Sequence, residues 1–365
     1  MRGARLTLAA FCGLLVITAS APAPAGALSP DAVIRVLLLA TRRSVTVRDD
    51  RTGAEAIVLE TQGGGLSANR RPVGDVWRLR SGGIVSADQL RVRGALEVRR
   101  VPDGLQVVNE VGVEDYVAGT LGKEIYPDWE PEMLKAQAVA ARSYALHQRA
   151  RNRTQPYHVV AGTGHQVYGG VDAESPAVIA AVSATRGEYL AYQRRPILAA
   201  YHSASGGRTA SAQEVWGESL PYLVSIEVEG EEESPDTYWR AAISRTKLGR
   251  ALASLGIQID TVREARVIDR SRSGRASRVQ IRSDTDSHTL EARALRVALG
   301  ETVIRSTLFE IRVQKDGFIF VGSGYGHGVG MSQWGAQAMA LRGSSYREIL
   351  RAFYPGTSLV REEAR

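Results

Sequence analysis

The chain has 365 residues, of which 46 are Lys or Arg and 39 are Asp or Glu, giving a formal net charge of +7. That length supports one large or two modest domains with a real core. No helix-turn-helix, aromatic RNA-binding signature or zinc finger is present, which argues against nucleic acid as a partner.

Residues 1–27 read as a secretory leader. Arg2 and Arg5 precede the apolar run from Leu6 to Ser20, and Ala25-Gly26-Ala27 supplies a small-residue cleavage site. The run is about 15 residues, short of the roughly 20 needed to span a bilayer, so cleavage is expected rather than anchoring. The expected product is exported, to the periplasm or the extracellular cell envelope. Cys12, the one cysteine, follows Phe11 inside this leader and does not read as an acylation site. The mature chain would then hold no disulfide, zinc–thiolate site or cysteine nucleophile. Without Arg2 and Arg5 the charge is +5, which suits anionic wall polymers or lipid head groups. Arg263, Arg266, Arg270, Arg272 and Arg275 read as solvated surface.

From Val33 to Val108, short β segments alternate with turn signals. VIRVLLLA, SVTVRD, AEAIVLET, LEVRRV and GLQVVN read as strands, punctuated by Gly63-Gly64-Gly65, Gly82-Gly83 and Pro102-Asp103-Gly104. This stretch, residues 28–109, is expected to form a β-rich subdomain ahead of a larger unit at 110–360. Two helices follow. The first is predicted from Val113 to Leu121 with an interruption near Gly122. The second runs from Glu130 to Arg149, with Pro131 in a favourable first-turn position and a stripe of Leu134, Ala138, Ala141 and Ala145. RPILAAYHS reads as a strand that breaks at Gly206-Gly207. The acidic cluster Glu227, Glu229, Glu231, Glu232 and Glu233 reads as a solvated loop. Residues 237–320 look like a helix–strand insertion, with KLGRALASLG as a helix and EARVIDRS, ASRVQIRS and FEIRVQ as strands. Ser332 is a natural N-cap for the next helix and Gly343 a natural stop.

Glu124 is the sharpest chemical signal. Val113, Val117, Leu121 and Glu124 fall on one helix face, so the carboxyl sits where an apolar residue belongs. Burial raises a carboxyl pKa and suits it to proton donation at neutral pH; the simpler alternative is a helix-ending Glu124 paired with Lys123 or Arg142. Arg142, beside the small-residue face of the second helix, needs a partner, and Glu124 is one candidate. Gly322, Gly324, Gly326, Gly328 and Gly330 recur at alternate positions but match neither the dinucleotide fingerprint nor the phosphate loop. They fit either a tight structural loop or a backbone surface that approaches a flat ligand. His327, between two of them, is expected to face water or ligand. His202 reads equally as a partner of a neighbouring carbonyl. Ser203 and Ser205 lack the nucleophile-elbow pattern. His158 and His165 lack a third donor for catalytic zinc; no metal and no cofactor is expected.

VEDYVAGTLGKEIYPDWEPEMLKAQAVAARSYAL resembles the central motif of the stage II sporulation protein D / amidase-enhancer (SpoIID/LytB) family. AYHSASGGRTASAQEVWGESLPYLVSIE and GYGHGVGMSQWGAQAMALRGSSYREILRAFYPGT match the same family in order, so the resemblance covers roughly Val111 to Thr357. The resemblance implies cysteines in some members near the block that here reads HVVAGTGHQVYGG, and this chain has none there. The resemblance implies a peptidoglycan lytic transglycosylase acting on glycan strands denuded of stem peptides. Glu124 would be the acid/base, forming 1,6-anhydro-N-acetylmuramic ends, and Arg142, Tyr201, His202, Ser203, Ser205, Gly206, His327 and Gln333 would bind substrate. The rival reading is a non-catalytic module that binds wall glycan and stimulates a cell-wall amidase. The fold implied is α+β, with the helices that carry Glu124 packed on a curved, mostly antiparallel sheet.

Overall fold

The computed structural model describes residues 32–162 and 164–362. The leader read in residues 1–27, with Cys12, lies outside them. The architecture is α+β. Strands β1 (Val33–Arg42), β2 (Ser44–Asp49), β3 (Ile57–Gln62), β4 (Gly65–Ala68), β5 (Arg71–Gly74), β6 (Val76–Ala87), β7 (Leu90–Val101) and β8 (Gly104–Gly112) lead into helix α1 (Val113–Glu124) and helix α2 (Pro131–Arg151), after which comes β9 (Val159–Val160). The nine strands make one sheet in the order β5-β4-β3-β2-β6-β7-β8-β1-β9. Every neighbouring pair is antiparallel except β1 and β9. Alternation explains the sheet's buried face: Ile34 and Val36, Val45 and Val47, and Leu105 and Val107 all point into the core.

Gly82-Gly83 does not end a strand. It lies within β6, where the register with β7 shifts between Arg80 and Ile84. A β-bulge absorbs the pair, and a Cβ on Gly83 would come within 3.2 Å of Arg51 Cβ.

Helix α1 likewise runs past the expected break at Gly122 and ends at Glu124. A Cβ on Gly122 would stand 2.0 Å from the Ala173 carbonyl oxygen, so glycine here permits a close crossing by the chain rather than breaking the helix. Helix α2 starts at Pro131 as expected, and Leu134, Ala138, Ala141 and Ala145 are buried.

Helix α3 (Pro176–Ala184) and strand β10 (Glu188–Tyr192) come next, followed by the two-residue strands β11 (Arg195–Pro196) and β12 (Tyr201–His202). The predicted strand over RPILAAYHS is therefore interrupted. Ala199 and Ala200 donate to the carbonyls of Ile197 and Leu198, at 2.9 and 2.8 Å, and these tight turns replace a ladder. Helix α4 (Ala212–Trp216) precedes the segment read as an insertion, which contains β13 (Trp239–Ser244), α5 (Arg245–Ser254), β14 (Glu264–Arg270), β15 (Ala276–Arg282), β16 (Ser287–Glu291), α6 (Ala292–Leu299), β17 (Phe309–Gln314) and β18 (Gly317–Gly322). Two three-stranded sheets, β13-β18-β17 and β14-β15-β16, enclose a second core around Trp239, Leu248, Val279, Leu295, Phe318 and Phe320. The chain returns to the main core through β19 (Met331–Ser332), α7 (Gln333–Leu341), α8 (Tyr346–Phe353) and β20 (Ser358–Arg361). β19 pairs in parallel with β12. Ser332 caps α7 by accepting from the Gly335 N–H, as its sequence position predicts, and Gly343 follows the helix at φ +88°.

Candidate active site

Glu124 is the last residue of α1, at the end of the stripe formed by the buried Val113, Val117 and Leu121. Its carboxyl is half-buried, and Oε1 accepts the Val167 N–H at 2.5 Å. Loss of solvent raises its pKa from 4.5 to about 7, opposed by the hydrogen bonds from Val167 and the Tyr201 hydroxyl. Such a group is half protonated near neutrality and can both give and take a proton.

A polar relay holds that geometry. Gln166 Nε2 donates to the Tyr201 hydroxyl at 3.0 Å, so the phenol's own proton is free to point at Glu124. The other end of the Gln166 amide accepts from the Tyr116 hydroxyl at 2.9 Å. Burial, then the nearby Glu124 charge, pushes the Tyr201 phenol well above its usual value, so Tyr201 acts as a donor rather than an ionised base. From the opposite side, Gln333 Nε2 donates to the Glu124 backbone carbonyl at 3.1 Å, fixing α7 to the end of α1. Gln333 itself is buried.

The other expected residues divide into those near this carboxyl and those that serve the fold. Arg142 needs correcting: its buried guanidinium donates to Glu114 at 2.6 and 3.0 Å and to the Glu188 carbonyl at 2.9 Å, not to Glu124. With no surface it cannot meet a substrate. Ser205 needs the same correction. It is buried, and its Oγ donates to Glu231 Oε2 at 2.7 Å. Gly206 packs at φ +75° against Ser323 and Leu308, which places it at the seam with the second core. Ser203 is half-buried, and its carbonyl accepts the Trp334 N–H at 3.0 Å.

His202 is buried. Its Nδ1 must carry a proton to bond the Val329 carbonyl at 3.1 Å, which agrees with the carbonyl-partner reading. Nε2 is buried without a partner, and desolvation together with the Arg275 charge lowers the ring pKa to about 3. His327 is half-buried against Trp216 and His202, at ring-centroid distances of 5.3 and 5.6 Å. Its Nδ1 accepts the Val329 N–H at 3.0 Å and the ring also bonds the Tyr201 carbonyl, while burial first and then the neighbouring charges hold it well below the usual histidine range. Both rings are therefore neutral supports for the Tyr201 strand. His158 Nδ1 accepts the Arg35 N–H at 3.1 Å. Among the described residues no group of three or more His, Cys, Asp or Glu is arranged to hold a metal ion.

The glycine block is a structural loop. Gly324, Gly326, Gly328 and Gly330 all have positive φ, and side chains there would strike the Ala204 carbonyl, His202, the Arg275 guanidinium and the Ala200 carbonyl. The close approach is to the protein's own Ala200–Ser205 segment at Gly324, Gly326 and Gly330, and to Arg275 at Gly328.

Two charged residues were misread from the sequence. Glu231 is not a solvated loop acid. It is buried and accepts from the Ser205 N–H and Oγ, each at 2.7 Å, the Gly207 N–H at 3.0 Å, and the Ser332 hydroxyl. Arg275, read as solvated, is also buried. Its Nη2 donates to the carbonyls of Ser205 and Arg208 at 2.8 and 3.2 Å, and desolvation lowers its pKa to about 10. Gln166, Tyr116 and the Val167 amide went unrecognised as site groups because their spacing along the chain carries no pattern.

Two stretches of this chain match known family models. Residues 102–192 match the family model described as stage II sporulation protein, and residues 210–330 match that of a domain of unknown function. The chain belongs to the SpoIID family. It is 30% identical to stage II sporulation protein D of Bacillus amyloliquefaciens over 270 residues, covering 69% of this chain and 75% of that one. It is 33% identical to an uncharacterized protein of Brachyspira hyodysenteriae over 328 residues, 89% of this chain and 82% of the relative. It is also 32% identical to the amidase enhancer of Bacillus subtilis over 290 residues, 66% of this chain but only 40% of that longer protein.

Proposed function

We propose that the protein is a cell-wall lytic transglycosylase that cleaves the bond between N-acetylmuramic acid and N-acetylglucosamine, in glycan strands denuded of stem peptides. Similarity to a sporulation protein D and to an amidase enhancer supports a role at the bacterial cell wall, with peptidoglycan as substrate and an amidase as a partner that would prepare it. No helix among the described residues is long and apolar enough to cross a membrane. The observation that carries the catalytic reading is the single carboxyl of Glu124, raised to about 7 and held by Val167 and Tyr201.

Protonated Glu124 gives its proton to the glycosidic oxygen as the bond to C1 breaks. The resulting carboxylate takes the proton of the muramic C6 hydroxyl, whose oxygen closes onto C1. The products are a 1,6-anhydro-muramic end and a free hydroxyl on the leaving sugar, and Glu124 is again protonated. No water is consumed, so one carboxyl serves both steps, unlike the two-carboxylate hydrolases. Tyr201 stabilises the carboxylate between the steps by donating to it.

The test is mass spectrometry of products from sacculi, with and without prior amidase treatment. The parent chain is expected to release anhydro-muramic ends from treated sacculi, and Glu124→Gln to release none. Retained turnover in that variant would sink the assignment. Binding without cleavage by the parent chain would favour the non-catalytic, amidase-stimulating reading.

A further inference from the structure

Three aromatic side chains cluster beside Glu124. Tyr126 and Trp129 lie in the connection between α1 and α2, and Trp334 lies in the first turn of α7. Their ring centroids are 5.4 Å apart for Tyr126–Trp129, 4.9 Å for Trp129–Trp334 and 6.4 Å for Tyr126–Trp334, all tilted or edge-on. Only 6% of the chain is aromatic and it has five tryptophans, so two of them meeting a tyrosine at this point is a concentration. Tyr126 is 56% exposed, whereas Ile125, between it and Glu124, is extended and buried. The chain thus turns Ile125 inward and leaves Tyr126 at the surface, while Glu124 stays half-buried. Gln333, adjacent to Trp334, bonds the Glu124 carbonyl, and the Trp334 N–H bonds Ser203, two residues after Tyr201. The aromatic group and the carboxyl are therefore fixed to one another through α7.

The two tryptophans have a packing role. They are half-buried where the start of α2 meets α7, at the point where Gln337 Oε1 accepts the Glu130 N–H at 3.1 Å. That role does not account for Tyr126, whose ring is mostly in water. An exposed aromatic ring beside a site is the informative departure from ordinary burial. The exposed Tyr126 ring keeps surface available for contact, and a π face suits the C–H face of a pyranose, which is apolar and uncharged.

We propose that Tyr126, Trp129 and Trp334 form a stacking platform for one N-acetylhexosamine ring adjoining the scissile bond, with Tyr126 supplying the open face. This rests on the glycan reading of the Glu124 site and names the contact that would set the strand's register there. The platform recognises ring shape rather than charge, so its contribution persists in salt, whereas attraction between the basic chain and anionic wall polymers is screened.

Co-sedimentation with amidase-treated sacculi at high salt tests this, with Glu124→Gln as the parent so that no substrate is consumed. Tyr126→Ala added to that parent is expected to weaken binding about tenfold, and Tyr126→Phe, which keeps the ring, by less than about twofold. A soluble β-1,4-linked N-acetylglucosamine tetramer should compete with the sacculi for the parent. Equal binding by the parent and the Tyr126→Ala chain would overturn the platform and leave the glycan reading standing. Absence of binding by the parent would overturn the glycan reading and the platform with it. Circular dichroism of the Tyr126→Ala chain should match the parent, because the ring is largely solvated.

Discussion

At Glu124 the cost of burial is also the source of the raised pKa. Because its folded-state pKa is about 7 against 4.5 in the unfolded chain, the native state holds a proton through that interval that the unfolded state has released. Stability therefore falls as pH rises from about 4.5 to 7, by up to about 3 kcal/mol once both states are ionised. Glu124→Gln removes that penalty. The variant should melt at a higher temperature than the parent at pH 8, and the difference should vanish near pH 4. An equal gain at both pH values would show that charge burial is not its origin. The same titration predicts a rate limb. If cleavage begins from the protonated carboxyl, kcat/KM should fall above pH about 7, approaching tenfold per pH unit. A flat profile from pH 6 to 9 would remove Glu124 as the proton donor.

The elements show what the sequence could and could not reveal. Helix α1 was legible because Val113, Val117 and Leu121 obey one period and Glu124 interrupts it in kind but not in phase. The N-cap at Ser332 was legible because capping is local chemistry. Gly122 was misread because propensity describes a helix in isolation, while this glycine is required by the Ala173 carbonyl from another part of the chain. Glu231 and Arg275 were misread for a related reason: charge crowding along the sequence says nothing about donors and acceptors that arrive from Ser205, Ser332 and Arg208. Gly122→Ala separates the two explanations. On propensity alone it should stabilise α1 by about 1 kcal/mol. With a Cβ 2.0 Å from a carbonyl oxygen it should instead destabilise the protein by roughly 1–3 kcal/mol and lower turnover by displacing Glu124. Urea denaturation reads the sign, and a stabilised variant would contradict the close crossing.

Across the whole molecule, two cores are joined beside the Tyr201 strand. The second core is built from the segment between Trp239 and Phe320, and the main core takes residues from both flanks of that segment. Arg275, from the turn before β15, reaches out of that segment to bond the Ser205 and Arg208 carbonyls and to lie against Gly328. Its Nε and Nη1 are buried without partners, so the arrangement is held by two carbonyl bonds and by attraction to the buried Glu231 and the half-buried Glu214. Removing a buried charge that balances another costs about 3–5 kcal/mol, because the remaining carboxylate is left desolvated. Arg275→Ala should therefore lower stability by about 3 kcal/mol. The damage should be local, since the acceptors, the Ser205 and Arg208 carbonyls, lie outside the second core. Amide exchange is expected to accelerate through residues 200–208 and 324–330 while β13, β17 and β18 stay protected. The Tyr201 strand then loses the support that His202 and His327 provide, and turnover should fall further than binding. Unchanged exchange in residues 200–208 would mean that the second core does not brace the Tyr201 strand, and that Arg275 is buried there for packing alone.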